Sequence, residues 1–244
     1  MVSSKETKHA PFPETRWSVV RQAALPDAAA SGDALAELCH IYWVPIYAYL
    51  RRLGFSNHDA EDHTQEFLSF VLARDLLPKA KASVGRMRSY LLGILKKFLS
   101  DIRKRNTAQK RGGGRRPLAI DADLAESRIL QGTSAELTPE QAYELHWALT
   151  VLEASVGRIR ETYRKKGNEQ LFNLLAPCLQ GGPDLPYREA ARQLGMSESA
   201  LKVAAHRLRL RYRQSIRGVI AATIGPKGDV EQELAHLQAA LHRK

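Results

Sequence analysis

Three groups of side chains are spaced so that each could act on another molecule. Ser199, Lys202, Val203 and His206 recur at helical spacing and share one face, with Arg213 on the same side and Arg207, Arg209 and Arg211 flanking it. A polar tip ringed by guanidinium groups suits the major groove of DNA, with tip side chains at base edges and flanking cations on phosphates. On a second helical face lie Asp59, Asp62, Glu66 and Ser69, with Gln65 beside them. DNA would repel these carboxylates, so the chemistry they suit is a protein partner with a basic surface. A third face carries Ser89, Tyr90, Gly93, Lys96, Lys97, Ser100 and Lys104. Lysines beside an aromatic ring suit a nucleic-acid backbone and an unstacked base.

His58, Asp59, Asp62, His63 and Glu66 also raise the question of a metal. His63 is expected well round the helix from Asp62 and Glu66, and no second ligand cluster stands elsewhere. Neither a metal, a cofactor nor a catalytic residue is therefore expected. The chemistry is binding.

The elements that position these faces follow from apolar periodicity. Residues 187–213 read as two helices joined by a tight turn at Gly195-Met196-Ser197. Ala190, Ala191 and Leu194 line the first helix, and Leu201, Ala205, Leu208 and Tyr212 line the second. Gly195 gives the turn its backbone freedom, and Ser197 can cap the second helix. Leu210 falls on the outward side without an assigned role. Earlier, 33–53 is a helix striped by Leu35, Leu38, Tyr42, Ile46, Tyr49 and Leu53, kinked at Pro45 and ended by Gly54. Helix 59–72 follows a cap at Ser56 or Asn57 and turns Ala60, Thr64, Phe67, Leu68 and Val71 inward. After a loop at 79–85, helix 86–105 buries Leu91, Leu92, Leu95, Phe98, Leu99 and Ile102.

Thr138-Pro139-Glu140-Gln141 combines an N-cap, an N1 proline and a capping-box glutamine. The helix it opens reaches about residue 166, with Leu145, Leu149, Leu152, Val156, Ile159 and Tyr163 as its stripe and Gly167 as its stop. Leu171, Leu174, Leu175 and Cys178 mark a short helix. A last helix is capped by Asp229 and striped by Val230, Leu234, Leu237 and Leu241. It is expected to pack on the second domain, with a regulatory partner as the alternative.

No strand pattern appears, so the expected fold is all-α: two small helical domains joined by a flexible linker. The divisions are an N-terminal extension at 1–31, a first domain at 32–105, a linker at 106–137, a second domain at 138–224 and a C-terminal helix at 225–244. The linker holds the basic, glycine-rich run 110–116. With 44% hydrophobic and 26% charged residues, the 244-residue chain has the composition of a soluble globular protein. Its net charge is +11. Residues 81–117 carry twelve Lys or Arg against one acid, Asp101, so this stretch holds the whole excess and the remainder is neutral. A polyanionic partner is expected. Cys39 and Cys178 fall in apolar stripes and are expected as core residues. No secretory signal and no membrane span are found, and a cytoplasmic location is expected.

The chain resembles a bacterial RNA polymerase sigma factor of the extracytoplasmic-function class, over about residues 34–217. DAEDHTQEF at 59–67 is similar to the family segment that docks on the polymerase clamp. This implies Asp59, Asp62, Gln65 and Glu66 as polymerase contacts. GRMRSYLLGILKKFLSDIRKR at 85–105 is similar to the segment that melts and reads the minus-ten element. That adds Arg86, Arg88 and Arg103 to Ser89, Tyr90, Lys96, Lys97 and Lys104 as DNA contacts. YREAARQLGMSESALKVAAHRLR at 187–209 is similar to the minus-thirty-five reader, implying Ser199, Lys202, Val203, His206 and Arg207. The domains are then sigma regions two and four. Implied partners are core RNA polymerase and promoter DNA, with room for an anti-sigma factor. Val203 and Ala204 stand where relatives often carry Ser and Arg, and Met87 where an aromatic is frequent. The rival expectation is a stand-alone helix-turn-helix regulator.

Overall fold

The computed structural model describes residues 29–74, 76, 86–109, 137–179, 186–224 and 229–242. Most of the expected N-terminal extension, the 79–85 loop and the 110–116 run lie outside the described residues, as do the side chains of Leu35 and Leu38. The described elements are α1 (Ala29–Arg52), α2 (Asn57–Ala73), α3 (Met87–Gln109), α4 (Pro139–Lys165), α5 (Glu169–Leu175), α6 (Tyr187–Gln193), α7 (Glu198–Thr223) and α8 (Val230–His242). A 3-10 turn, Ala176–Leu179, follows α5. The fold is all-α: among the described residues there is no strand, only an isolated antiparallel bridge between Arg86 and Ile224. None of the described helices is long and apolar enough to cross a membrane.

Helix boundaries follow local chemistry. The Ser56 hydroxyl accepts from the Asp59 amide at 3.1 Å and starts α2. Thr138 Oγ1 accepts from the Gln141 amide at 3.2 Å while the Gln141 side chain accepts from the Thr138 amide at 2.8 Å, closing the capping box of α4. Ser197 caps α7 through the Ala200 amide at 3.2 Å. Asp229 Oδ1 accepts from the Glu231 amide at 2.9 Å and starts α8. At the turn between α6 and α7, Gly195 takes φ +62°. Its amide donates to Arg192 O at 3.1 Å and the next amide, Met196, donates to Ala191 O at 2.9 Å. This left-handed helix ending is where glycine costs least. In contrast, α1 continues as helix on both sides of the buried Pro45.

Two hydrophobic cores form. The larger takes Tyr42, Ile46 and Leu50 from α1, Phe67 from α2, Leu95 from α3, Tyr143, Trp147 and Val151 from α4, Val219 and Ile220 from α7, and Leu237 from α8. The smaller takes Ile159 and Tyr163 from α4, Phe172 and Leu175 from α5, Ala190 and Ala191 from α6, and Leu201, Ala205 and Leu208 from α7. Helices α4 and α7 therefore pass through both. The larger core joins helices on both sides of 110–136, and α1 against α4 is the most extensive helix pairing. Helix α8 packs on α4 and α7.

This packing corrects the expected stripe of α4. Leu149, expected inside, is 38% exposed, and Leu145 and Leu152 are only half-buried. Tyr143, His146, Trp147, Thr150 and Val151 are buried instead. The N-terminal half of α4 meets α1, α7 and α8, so most of its circumference is covered and burial no longer follows one stripe. Cys39 lies in the larger core, where burial pushes its thiol up to about 12; Cys178 is half-buried, and both are free thiols.

Candidate nucleic-acid interface

Helix α7 presents its expected outward face. Ser199, Lys202, Val203, His206 and Arg207 are all exposed, as are Arg209, Arg211 and Arg213. Behind them Leu201, Ala205 and Leu208 are buried in the smaller core, which fixes the rotation of the helix. Lys202 Nζ lies 2.6 Å from Glu198 Oε1 on the preceding turn. That hydrogen bond holds the lysine above and the carboxyl below their ordinary pKa ranges. Arg211 instead turns back on the scaffold: Nη1 donates to Tyr163 Oη at 3.1 Å and the guanidinium sits 5.5 Å over that ring. Val203 is 48% exposed and Leu210 44% exposed, both apolar side chains held toward solvent. A shallow hollow of about 500 Å³ beside Val203 is lined by Ser199, Ala200, Arg207 and Arg211.

Helix α3 exposes Ser89, Lys96, Lys97, Ser100, Arg103 and Lys104, and buries Leu91, Leu95, Phe98, Leu99 and Ile102. Lys96 Nζ reaches Glu140 Oε1 at 2.8 Å across to the first turn of α4, which raises the lysine and lowers the carboxyl. Both partners are half exposed, so the bridge adds little stability. Tyr90, expected free to stack, is half-buried against the larger core.

Arg86 and Arg88 depart most from expectation. Arg88 is 6% exposed and faces the interior. Its Nε donates to Glu233 Oε2 at 2.8 Å, its Nη1 donates to Glu144 Oε1 at 3.2 Å, and its guanidinium lies 5.0 Å over the Trp147 ring. Burial works against the charged form, but the Glu233 hydrogen bond and the two carboxylate charges outweigh it, and the pKa is raised. Arg86 is half exposed; its Nε sits 3.2 Å from Glu233 Oε1 and its Nη2 donates to Gln232 Oε1 at 2.7 Å. Both cations are therefore engaged by α8 rather than held out to a ligand. The reason is electrostatic: the last helix brings a buried carboxylate to the start of α3, where Arg86 and Arg88 flank Met87.

Sequence reasoning passed over Glu233, Glu144 and Glu140. A signal for Glu233 existed. It stands between Val230 and Leu237 on the apolar side of α8, and a carboxylate inside an apolar stripe implies a buried cation partner.

On α2, Asp59 and Glu66 are exposed, while Asp62 and Gln65 are half-buried. Asp59 accepts from the Ser56 hydroxyl at 2.7 Å, and His58 Nε2 lies 3.5 Å from Asp62. Gln65 donates to the buried Glu61 at 3.2 Å. His63 Nδ1 lies 3.4 Å from Glu66 Oε2, so the expected separation of these two side chains does not hold; residues three apart are neighbours on a helix. Among the described residues no three His, Cys, Asp or Glu are gathered as a metal ion would require.

No protein-family model matches the chain, and neither a curated protein nor a solved structure is found similar to it.

Proposed function

We propose that the chain is a sigma factor of the extracytoplasmic-function kind, working in the cytoplasm by binding and not by catalysis. The observation that supports this most is the face Ser199 to Arg207, exposed on a helix whose other side is locked into a core. Such a helix is a rigid probe for duplex DNA. Lys202 and His206 offer polar tips, Arg207 a phosphate contact, and Val203 an apolar surface of the kind a thymine methyl takes. The exposed lysines of α3 hold the non-template strand as the duplex opens. Asp59, Asp62, Gln65 and Glu66 on α2 hold core RNA polymerase. Unstacking costs a few kcal/mol per base step, which phosphate pairing and stacking offset. Two modest DNA contacts carried on one polymerase gain from effective concentration.

A stand-alone helix-turn-helix regulator is the second reading. It is favoured by one observation: the α7 face is open to DNA while Arg88 of α3 is buried. Measuring duplex affinity with and without core polymerase separates the two. A sigma factor binds its promoter tightly and specifically only with polymerase. Tight specific binding by the free chain rejects that assignment and leaves the regulator.

A further inference from the structure

We propose that α8 is a latch that withholds Arg86 and Arg88 from nucleic acid and is displaced when phosphate competes for them. This rests on the assignment of α3 to nucleic acid. Two arginines spaced two residues apart converge on one carboxylate, Glu233, at 3.2 Å and 2.8 Å. Its neighbours on the same helix complete the grip: Gln232 accepts from Arg86 at 2.7 Å, and His236 Nε2 lies 3.4 Å from Arg86 Nη1. Glu144 of α4 supplies the second carboxylate to Arg88.

The arrangement is ill suited to stability alone. A buried ion pair gains little over an apolar pair of similar volume, because both charges must be dehydrated. It is well suited to exchange, because a phosphate, like a carboxylate, offers the guanidinium two charged oxygens for a bidentate, charge-assisted contact. The latch also has two discrete states. With Glu233 only 3% exposed, its withdrawal would leave Arg88 with Glu144 alone and uncover the guanidinium, freeing it to turn toward a phosphate. The 13-residue α8, once detached, is too short to persist as an isolated helix. Outside the arginine cluster it is held by Leu237 and Ala240 in the core, by the partly buried Val230, Leu234 and Leu241 packed against it, and by an exposed pair between Glu231 and Arg217. Closure therefore lowers apparent affinity for single strands by the fraction of molecules that are latched.

Anisotropy of a labelled single-stranded oligonucleotide tests this on the full chain. Glu233→Gln is expected to tighten binding about tenfold at fixed salt, since it removes the competing charge. Lys97→Ala, outside the latch, is expected to weaken binding in both backgrounds. Unchanged or weaker binding by Glu233→Gln overturns the latch. If Lys97→Ala still weakens the wild type, the nucleic-acid assignment of α3 survives that failure. A second measurement needs no variant: amides of 230–242 in the wild type should exchange hydrogen faster once the oligonucleotide is added. Exchange that stays the same or slows also overturns the proposal.

Discussion

Lys96 and Lys97 are adjacent in sequence but differ in what surrounds them. Lys96 bridges to Glu140, whereas Lys97 has no carboxylate within ion-pair distance among the described residues. Lys97 can meet a phosphate without first leaving a partner. Lys97→Ala should therefore weaken open-complex formation by polymerase several-fold more than it weakens duplex binding; equal losses in a melting assay and a footprint would remove α3 from the melting step. His146 supports a prediction about stability. Its side chain is buried, and burial together with the Arg52 charge pushes its pKa down from 6.5 to about 4. Above about pH 6.5 the imidazole is neutral in both folded and unfolded chains. Between that pH and about 4 only the unfolded chain takes up the proton, so stability falls by a few kcal/mol across this window. The denaturant midpoint should drop over that range and should drop less in His146→Gln. Parallel pH curves for the two proteins would contradict the assignment.

Single elements were the most legible scale. Ser56, Thr138 with Gln141, Ser197 and Asp229 all cap where their residue types suggested, because a cap is decided by a few neighbouring atoms. Thr138→Ala should accordingly cost about 1 kcal/mol, read as a lower denaturant midpoint with unchanged m-value. The inward face of α2 was equally readable, and that of α3 nearly so, with Leu92 half-buried where burial was expected. For the α4 stripe this failed. Periodicity reports one buried face, whereas the first half of α4 is covered by helices from both ends of the chain. Arg88 failed for a related reason: nothing near it in sequence announces Glu233, and only the tertiary fold brings them together. Among candidate site residues, the α7 set and the exposed lysines of α3 were legible, because their orientation is set by apolar residues on the same helix. The two arginines were not, because their orientation is set by a distant carboxylate.

At the scale of the whole molecule, the two cores do not divide where the chain divides. Helices α4 and α7 each run through both, so losing one core removes packing from helices that the other needs. Leu50→Ala in the larger core and Leu175→Ala in the smaller should each shift one shared unfolding transition, by roughly 2–5 kcal/mol. Two separate transitions in circular dichroism and tyrosine fluorescence would show that the cores unfold independently. The unbroken 26-residue course of α7 has a geometric consequence. One added residue between Arg213 and Gln214 would leave both ends helical yet turn them by about 100° against each other. With Val219 and Ile220 seated as before, Lys202 and His206 would swing off their bearing and Leu201, Ala205 and Leu208 would be turned out of the smaller core, so aim and packing would be lost together.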